Sequence, residues 1–288
     1  MRIGLLVSGG LGLILLEKLK NECHLIFVFT DINSRSIIDF CKSNNIECFI
    51  GNPRMGKCAS FITGKEIDVL VSVNYLFLIE QDVIELPKKY AFNIHGSLLP
   101  KYRGRTPHVW AIINGEENTG ITAHLIDEGC DTGKILKQVN IPIENDDTGA
   151  NILEKFAFAY PELVTDVLTQ IEKGTISPIT QDNTLATYYG KRTPEDGLIN
   201  WDWCKERIYN WIRAQAPPYP GSFTFLGKSK ITFVSSKFSN LGFNYDLRNG
   251  TVLALDPLTV KTNNGALELE LANKEDLKLL TPALVLGN

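Results

Sequence analysis

Apolar and polar positions alternate along the chain in blocks whose period changes from strand-like to helix-like and back. Residues 2–7 form a continuous apolar run that reads as a buried first strand, followed by Ser8-Gly9-Gly10-Leu11-Gly12 as a turn and an amphipathic helix through Leu19. A second buried run covers residues 25–30, and Ser34 or Ser36 can open a helix ending near Asn44-Asn45. Residues 67–73 and 90–94 have the unbroken apolar character of parallel strands covered on both faces. The pattern predicts an α/β fold with a Rossmann-like, doubly wound and mostly parallel sheet.

Further strands are expected at 121–125 and 133–139, flanking the polar stretch Asp127-Glu128-Gly129-Cys130-Asp131-Thr132. Residues 148–171 have helical spacing with Pro161 expected to bend or divide the helix. A helix at 205–213 ends before Pro217-Pro218, and short alternating segments follow at 222–226, 230–235, 250–255, 259–262 and 265–271. Separated by Gly, Asn and Pro, these predict a small C-terminal OB-like antiparallel β domain. The expected division is a catalytic domain over 1–190, a linker over 191–204 and the small domain over 205–288.

Composition narrows the function classes. At 44% hydrophobic and 22% charged residues, the chain reads as globular rather than disordered. Its apolar runs are too short to cross a bilayer, and the N-terminal run is interrupted before a secretory pattern develops, so a cytoplasmic location is expected. Six dispersed cysteines without a Cys-x-x-Cys pair read as reduced thiols, and neither they nor His24, His95, His108 and His124 make a metal motif. A net charge of −4 gives no general pull toward a polyanion. The first glycine cluster lacks the full G-x-G-x-x-G spacing, which argues against a dinucleotide site and leaves a helix N-terminus beside a cleft.

The segment Phe92-Asn93-Ile94-His95-Gly96-Ser97-Leu98-Leu99-Pro100 directly follows a buried strand. Strand alternation puts Asn93 and His95 on one side, at the carboxyl end where such sheets bind ligands. Asp131 is either a turn residue bonding its own backbone or a carboxylate that reaches His95 and fixes its tautomer. Spacing alone does not choose between these.

Together with Tyr102-Arg103-Gly104 and Asp131-Thr132-Gly133, the 93–100 motif resembles that of the 10-formyltetrahydrofolate-dependent formyltransferases. The likeness extends through Arg192-Thr193-Pro194-Glu195-Asp196-Gly197 and Pro218-Tyr219-Pro220-Gly221. It implies catalysis by Asn93 as oxyanion donor, His95 as proton relay and Asp131 as the carboxylate orienting His95. It implies 10-formyltetrahydrofolate as formyl donor, with no metal. The donor would lie beside Ser97, Leu98 and Leu99, an earlier loop bearing Tyr75, Phe77 and Leu78, and Asp127. Tyr75 and Phe77 can equally be core aromatics.

Within the family the loop and the join look most like sugar-nucleotide N-formyltransferases. The implied acceptor is a dTDP-linked amino-dideoxy sugar, with dTDP-4-amino-4,6-dideoxyglucose leading, which would place the chain in lipopolysaccharide O-antigen biosynthesis. The alternatives are a dTDP-3-amino or UDP-4-amino sugar, a methionyl-tRNA formyltransferase, or a sugar-nucleotide binding protein without catalysis. Arg103, Arg105, Lys191 and Arg192 can position a diphosphate or serve as surface charges and ion pairs. Trp201, Trp203 and Tyr189 can stack on a nucleobase or pack internally. No nucleic-acid or membrane partner is expected, and a homodimer is compatible with the small domain.

Overall fold

The computed structural model describes residues 1–287. The chain runs β1 (Arg2–Val7), α1 (Gly9–Glu22), β2 (His24–Thr30), α2 (Arg35–Ser43), β3 (Cys48–Ile50), α3 (Ala59–Ile62), β4 (Ile67–Val73), α4 (Gln81–Ile84) and β5 (Pro87–His95). It continues through β6 (Arg103–Gly104), α5 (Pro107–Ile113), β7 (Asn118–Leu125), β8 (Ile135–Pro142) and the long α6 (Gly149–Lys173). After β9 (Tyr188–Tyr189) and α7 (Lys205–Ala214) come β10 (Ser222–Leu226), β11 (Ser229–Ser239), β12 (Val252–Leu255), β13 (Leu258–Thr262) and β14 (Gly265–Leu271).

A seven-stranded sheet has the order β3-β2-β1-β4-β5-β7-β8. Its first five strands are parallel, and β7 joins β5 antiparallel. The fold is Rossmann-like, with the change of direction between β1 and β4. Strands β1 and β4 are apolar almost throughout because both faces are covered: Ile3, Leu5, Leu6 and Val7 pack with Val69, Leu70, Val71 and Val73 in the core. The smaller sheet is antiparallel, ordered β10-β11-β14-β13-β12.

The chain divides into two compact units. One holds residues 1–104, 120–141 and 155–188, and the other holds 105–119, 142–154 and 189–288. The second unit therefore takes two segments from within the expected catalytic domain. Residues 191–204 are not a linker. Ile199 and Trp201 are buried in the second unit, Ile199 N–H bonds the Phe223 carbonyl, and Trp201 Nε1 donates to Thr224 Oγ1 at 3.0 Å. Two apolar side chains in a polar stretch are enough to fix it.

Two local expectations also change. The glycine cluster after β1 lies inside α1, not in a separate turn. A Cβ at Gly12 would meet the Val7 side chain at 2.8 Å, so this glycine lets the first helical turn lie against the strand that precedes it. And α6 continues through Pro161, which removes only one N–H from a helix of 25 residues.

Candidate active site

The site is built at the carboxyl end of β5. Register pairs Ser72 with Asn93 and Val73 with Ile94, so the loop after β4 emerges beside Asn93 and His95. On the other side β7 sets His124 opposite Asn93 and Thr122 opposite His95. Thr122 holds the next loop: its Oγ1 donates to the Ser97 carbonyl at 2.6 Å and accepts from Leu99 N–H at 3.1 Å. Gln138 Nε2 adds bonds to the Leu99 carbonyl and Thr122 Oγ1.

His95 is buried, and its Nε2 lies 2.8 Å from the Tyr102 carbonyl. A carbonyl only accepts, so Nε2 carries the hydrogen and Nδ1 is left bare in the neutral ring. Nδ1 faces Asp131 Oδ1 at 3.5 Å. The Tyr102 carbonyl, rather than Asp131, thus sets the tautomer, while Asp131 stands ready for a proton arriving on Nδ1. Burial pushes the His95 pKa below the usual histidine value, more than the Asp131 charge and the Tyr102 carbonyl raise it.

Asp131 does not bond its neighbouring backbone in the way a turn residue would. It has a left-handed φ of 56°, and its Oδ2 accepts from Gly104 N–H at 2.9 Å. Burial would raise its pKa, yet the His124 hydrogen bond, the His95 charge and the Gly104 N–H hold the carboxyl well below its ordinary range. The loop carrying it is tied by Asp127, whose Oδ1 accepts from Gly129 N–H and Thr132 Oγ1. Gln181 Nε2 donates to the carbonyls of Asp131 and Gly133.

His124 completes the cluster, a residue that sequence reasoning set aside. Its Nε2 is 3.2 Å from Asn93 Nδ2 and 3.5 Å from Asp131 Oδ1, and its Nδ1 is 2.8 Å from the Leu125 carbonyl. The signal for it was a histidine two residues beyond Thr122 on an alternating strand, but only the β5·β7 register brings it to Asn93.

The other expected site residues fall into different roles. Leu76 and Leu78 are 44% and 67% exposed on the loop after β4, while Tyr75 packs against the core and meets Phe77 edge-to-face at 5.5 Å. This is an apolar surface of the kind that a flat ring system occupies. The buried Tyr75 hydroxyl has no hydrogen-bond partner. Ser97 Oγ donates to the Lys101 carbonyl and Leu99 is buried, so both hold the turn; Leu98 is half-buried.

Arg103 is not a surface phosphate ligand. At 1% exposure its guanidinium donates to Gln181 Oε1, Asn183 Oδ1 and the Tyr188 hydroxyl. It supports Gln181, and through it the Asp131 loop. Within the second unit Arg192 is stacked between Trp110 (4.7 Å) and Trp211 (4.4 Å), with Nη2 on the Asp196 carbonyl and Gln215 Oε1. Trp201 is buried there against Phe233, and Trp203 packs on Trp211, so both indoles are structural. Tyr189 stacks on Trp110. Arg105 and Lys191 are exposed on that unit. Among the described residues no cluster of His, Cys, Asp and Glu has the makings of a metal site.

Two family models match the chain: formyl transferase over residues 54–168 and formyl transferase, C-terminal domain, over 191–286. The first spans the whole Asn93–His95–His124–Asp131 cluster. The chain belongs to the formyl transferase family. It is 36% identical over 224 residues to the bifunctional polymyxin resistance protein ArnA of Wigglesworthia glossinidia brevipalpis, a match covering 78% of this chain and 34% of that protein. The chain thus spans about a third of the length of that relative. Its fold is also that of WlaRD, a sugar 3N-formyl transferase solved with dTDP and 5-N-formyl-THF, at a TM-score of 0.72 and 22% identity over 95% of this chain and 98% of that one. The N-formyltransferase of Helicobacter canadensis, solved with folinic acid and dTDP-3-aminofucose, superposes with a TM-score of 0.75 at 20% identity over 94% and 99%. Asn93, His95 and Asp131, the three residues expected to carry formyl transfer, lie together in one cluster with His124.

Proposed function

We propose that this protein transfers the formyl group of 10-formyltetrahydrofolate to the amino group of a nucleotide-linked amino sugar, with dTDP-4-amino-4,6-dideoxyglucose the leading acceptor. The observation that carries the reading is the convergence of Asn93, His95 and Asp131, from a strand end and a separate loop, in a chain of this family. The sugar assignment draws support from two proteins of like fold, a sugar 3N-formyl transferase solved with dTDP and an N-formyltransferase solved with dTDP-3-aminofucose.

In the reaction a bond forms between the acceptor nitrogen and the formyl carbon, and the bond from that carbon to the donor nitrogen breaks. His95 takes the proton that the attacking amine loses, on Nδ1, and returns it to the leaving nitrogen. Asp131 balances the imidazolium while it exists. Asn93 offers an amide N–H to the oxygen that becomes negative. Leu76, Leu78 and Phe77 provide an apolar wall for the donor ring, and the 97–100 turn fixes its edge.

The test is a panel of dTDP- and UDP-linked 3-amino and 4-amino sugars, with charged initiator methionyl-tRNA, each incubated with 10-formyltetrahydrofolate and read by product mass. A formyl group gained by the dTDP-4-amino sugar is the expected result. Gain by a 3-amino or UDP sugar would correct the acceptor, and gain by the tRNA alone would overturn the sugar reading. Release of free formate without acceptor modification would make the protein a hydrolase.

A further inference from the structure

The hydrogen bonds around Asp131 leave the cluster one proton short. His124 Nδ1 and His95 Nε2 each sit 2.8 Å from a backbone carbonyl, so each of those nitrogens bears a hydrogen. Were both rings neutral, His124 Nε2 and His95 Nδ1 would present lone pairs to the same atom, Asp131 Oδ1, at 3.5 Å each. Asp131 Oδ1 would then face two bare nitrogens with no hydrogen between it and either, because the Asn93 Nδ2 hydrogen, 3.2 Å from His124 Nε2, meets that nitrogen and not the carboxylate. An arrangement of that kind is costly where water does not screen it. The other carboxylate oxygen gives no relief, because Oδ2 is engaged by Gly104 N–H and Cys130 Sγ.

We propose that His124 holds the missing proton at rest, as an imidazolium donating from Nε2 to Asp131 Oδ1, and that it acts as a positioning residue for Asn93. The Asn93 amide lies 3.2 Å from that same Nε2–H. Opposite an Nε2–H donor the amide must present its oxygen as acceptor, so Asn93 exchanges Nδ2 for Oδ1 at that contact and directs its NH2 away, free for the formyl oxygen. The oxygen and nitrogen of an amide exchange places by a half-turn and fill the same space. His95 stays neutral with Nδ1 bare, which is the state a proton acceptor needs.

The titratable groups around this proton are consistent with that placement. Burial disfavours charge on His95, and Asp131 is held ionised, so neither takes the proton first. Tyr160 of α6 is buried within the field of Asp131, and burial with that charge keeps its phenol protonated. Cys130 contributes a thiol to Asp131 Oδ2. The charge on His124 is independent of the formyl-transfer reading; its role in aiming Asn93 rests on it.

The experiment is nitrogen NMR of the full chain labelled at histidine with 15N, near neutral pH. Single His24→Gln, His95→Gln, His108→Gln and His124→Gln variants assign the four rings, and any three of them suffice if one does not fold. The expected result is an imidazolium pattern at His124 and a neutral Nε2–H tautomer at His95. Asp131→Asn should convert His124 to the neutral form. A neutral His124 in the wild-type protein overturns the proposal whatever the acceptor proves to be. For the positioning role, His124→Gln should lower kcat at least 10-fold with KM for the formyl donor changed less than 3-fold. An unchanged kcat would remove that role while leaving the acceptor assay as it stood.

Discussion

At the scale of single residues, the site separates into atoms that meet the reaction and atoms that hold them. His95→Ala removes the nitrogen proposed to take the amine proton, without opening a large apolar cavity; kcat should fall about 100-fold to 10,000-fold, in the range of general acid–base catalysis. Asn93→Ala deletes the proposed oxyanion donor and should cost about 100-fold to 1,000-fold in kcat. Both are read by steady-state formylation of the acceptor that the panel selects, and near-normal turnover in either would remove that residue from the chemistry. Asp131→Asn keeps the shape and the bond from Gly104 but loses the charge opposite His95 and His124. Its linkage has a definite sign. The folded carboxyl titrates below the unfolded one, so its stabilising contribution is full above the unfolded value, near pH 4, and disappears as pH falls through the folded value. Asp131→Asn should therefore unfold with a weaker acid dependence below pH 4 than wild type, followed by far-ultraviolet circular dichroism.

At the scale of elements, the side chains of the candidate site depend on two loops held by buried polar contacts. Thr122 makes three hydrogen bonds to the 97–100 turn and Gln138, and Thr122→Val would strand Leu99 N–H and the Ser97 carbonyl in the interior. A loss of about 1–3 kcal/mol in stability is expected, together with a raised KM for the formyl donor, checked by urea unfolding and kinetics on one preparation. The Asp131 loop is less forgiving. A Cβ at Gly133 would sit 1.8 Å from the Leu125 carbonyl oxygen, so Gly133→Ala must move the strand or the loop. It should abolish activity even where the protein stays folded. These contacts also mark where the sequence was legible. The alternation of Phe92-Asn93-Ile94-His95 and the apolar runs of β1, β2 and β4 follow from local period, and they placed the polar pair at a strand end. Long-range pairing leaves no such local trace. His124 gained its meaning from register with Asn93, Arg103 was hidden by Gln181 and Asn183 nearly 80 residues on, and Ile199 and Trp201 turned an apparent linker into packed structure.

At the scale of the whole molecule, the two units can be followed by separate signals, because all four tryptophans, Trp110, Trp201, Trp203 and Trp211, belong to the second. Indole fluorescence therefore reports that unit alone. It also contains a buried histidine outside the formyl-transfer cluster: His108 is 8% exposed, with Nε2 at 2.8 Å from the Tyr219 hydroxyl. Burial pushes its pKa down to about 4 from an ordinary value of 6.5. Between those values the unfolded chain binds a proton that the folded unit refuses, so stability falls as the solution is acidified from pH 6.5 toward 4. A separation of that size is worth about 3 kcal/mol. The contribution is complete above pH 6.5, and the loss comes before most carboxylates titrate. Wild-type protein should show a urea midpoint, read by tryptophan fluorescence, that drops steadily from pH 7 to pH 4.5. His108→Gln retains an amide able to meet the Tyr219 hydroxyl but cannot titrate, and its midpoint should be nearly level over the same interval. An equal slope in both proteins would assign the acid sensitivity of this unit to other groups. A level wild-type midpoint would mean that the buried ring admits a proton, and with it that the packing around His108 opens more readily than its burial implies.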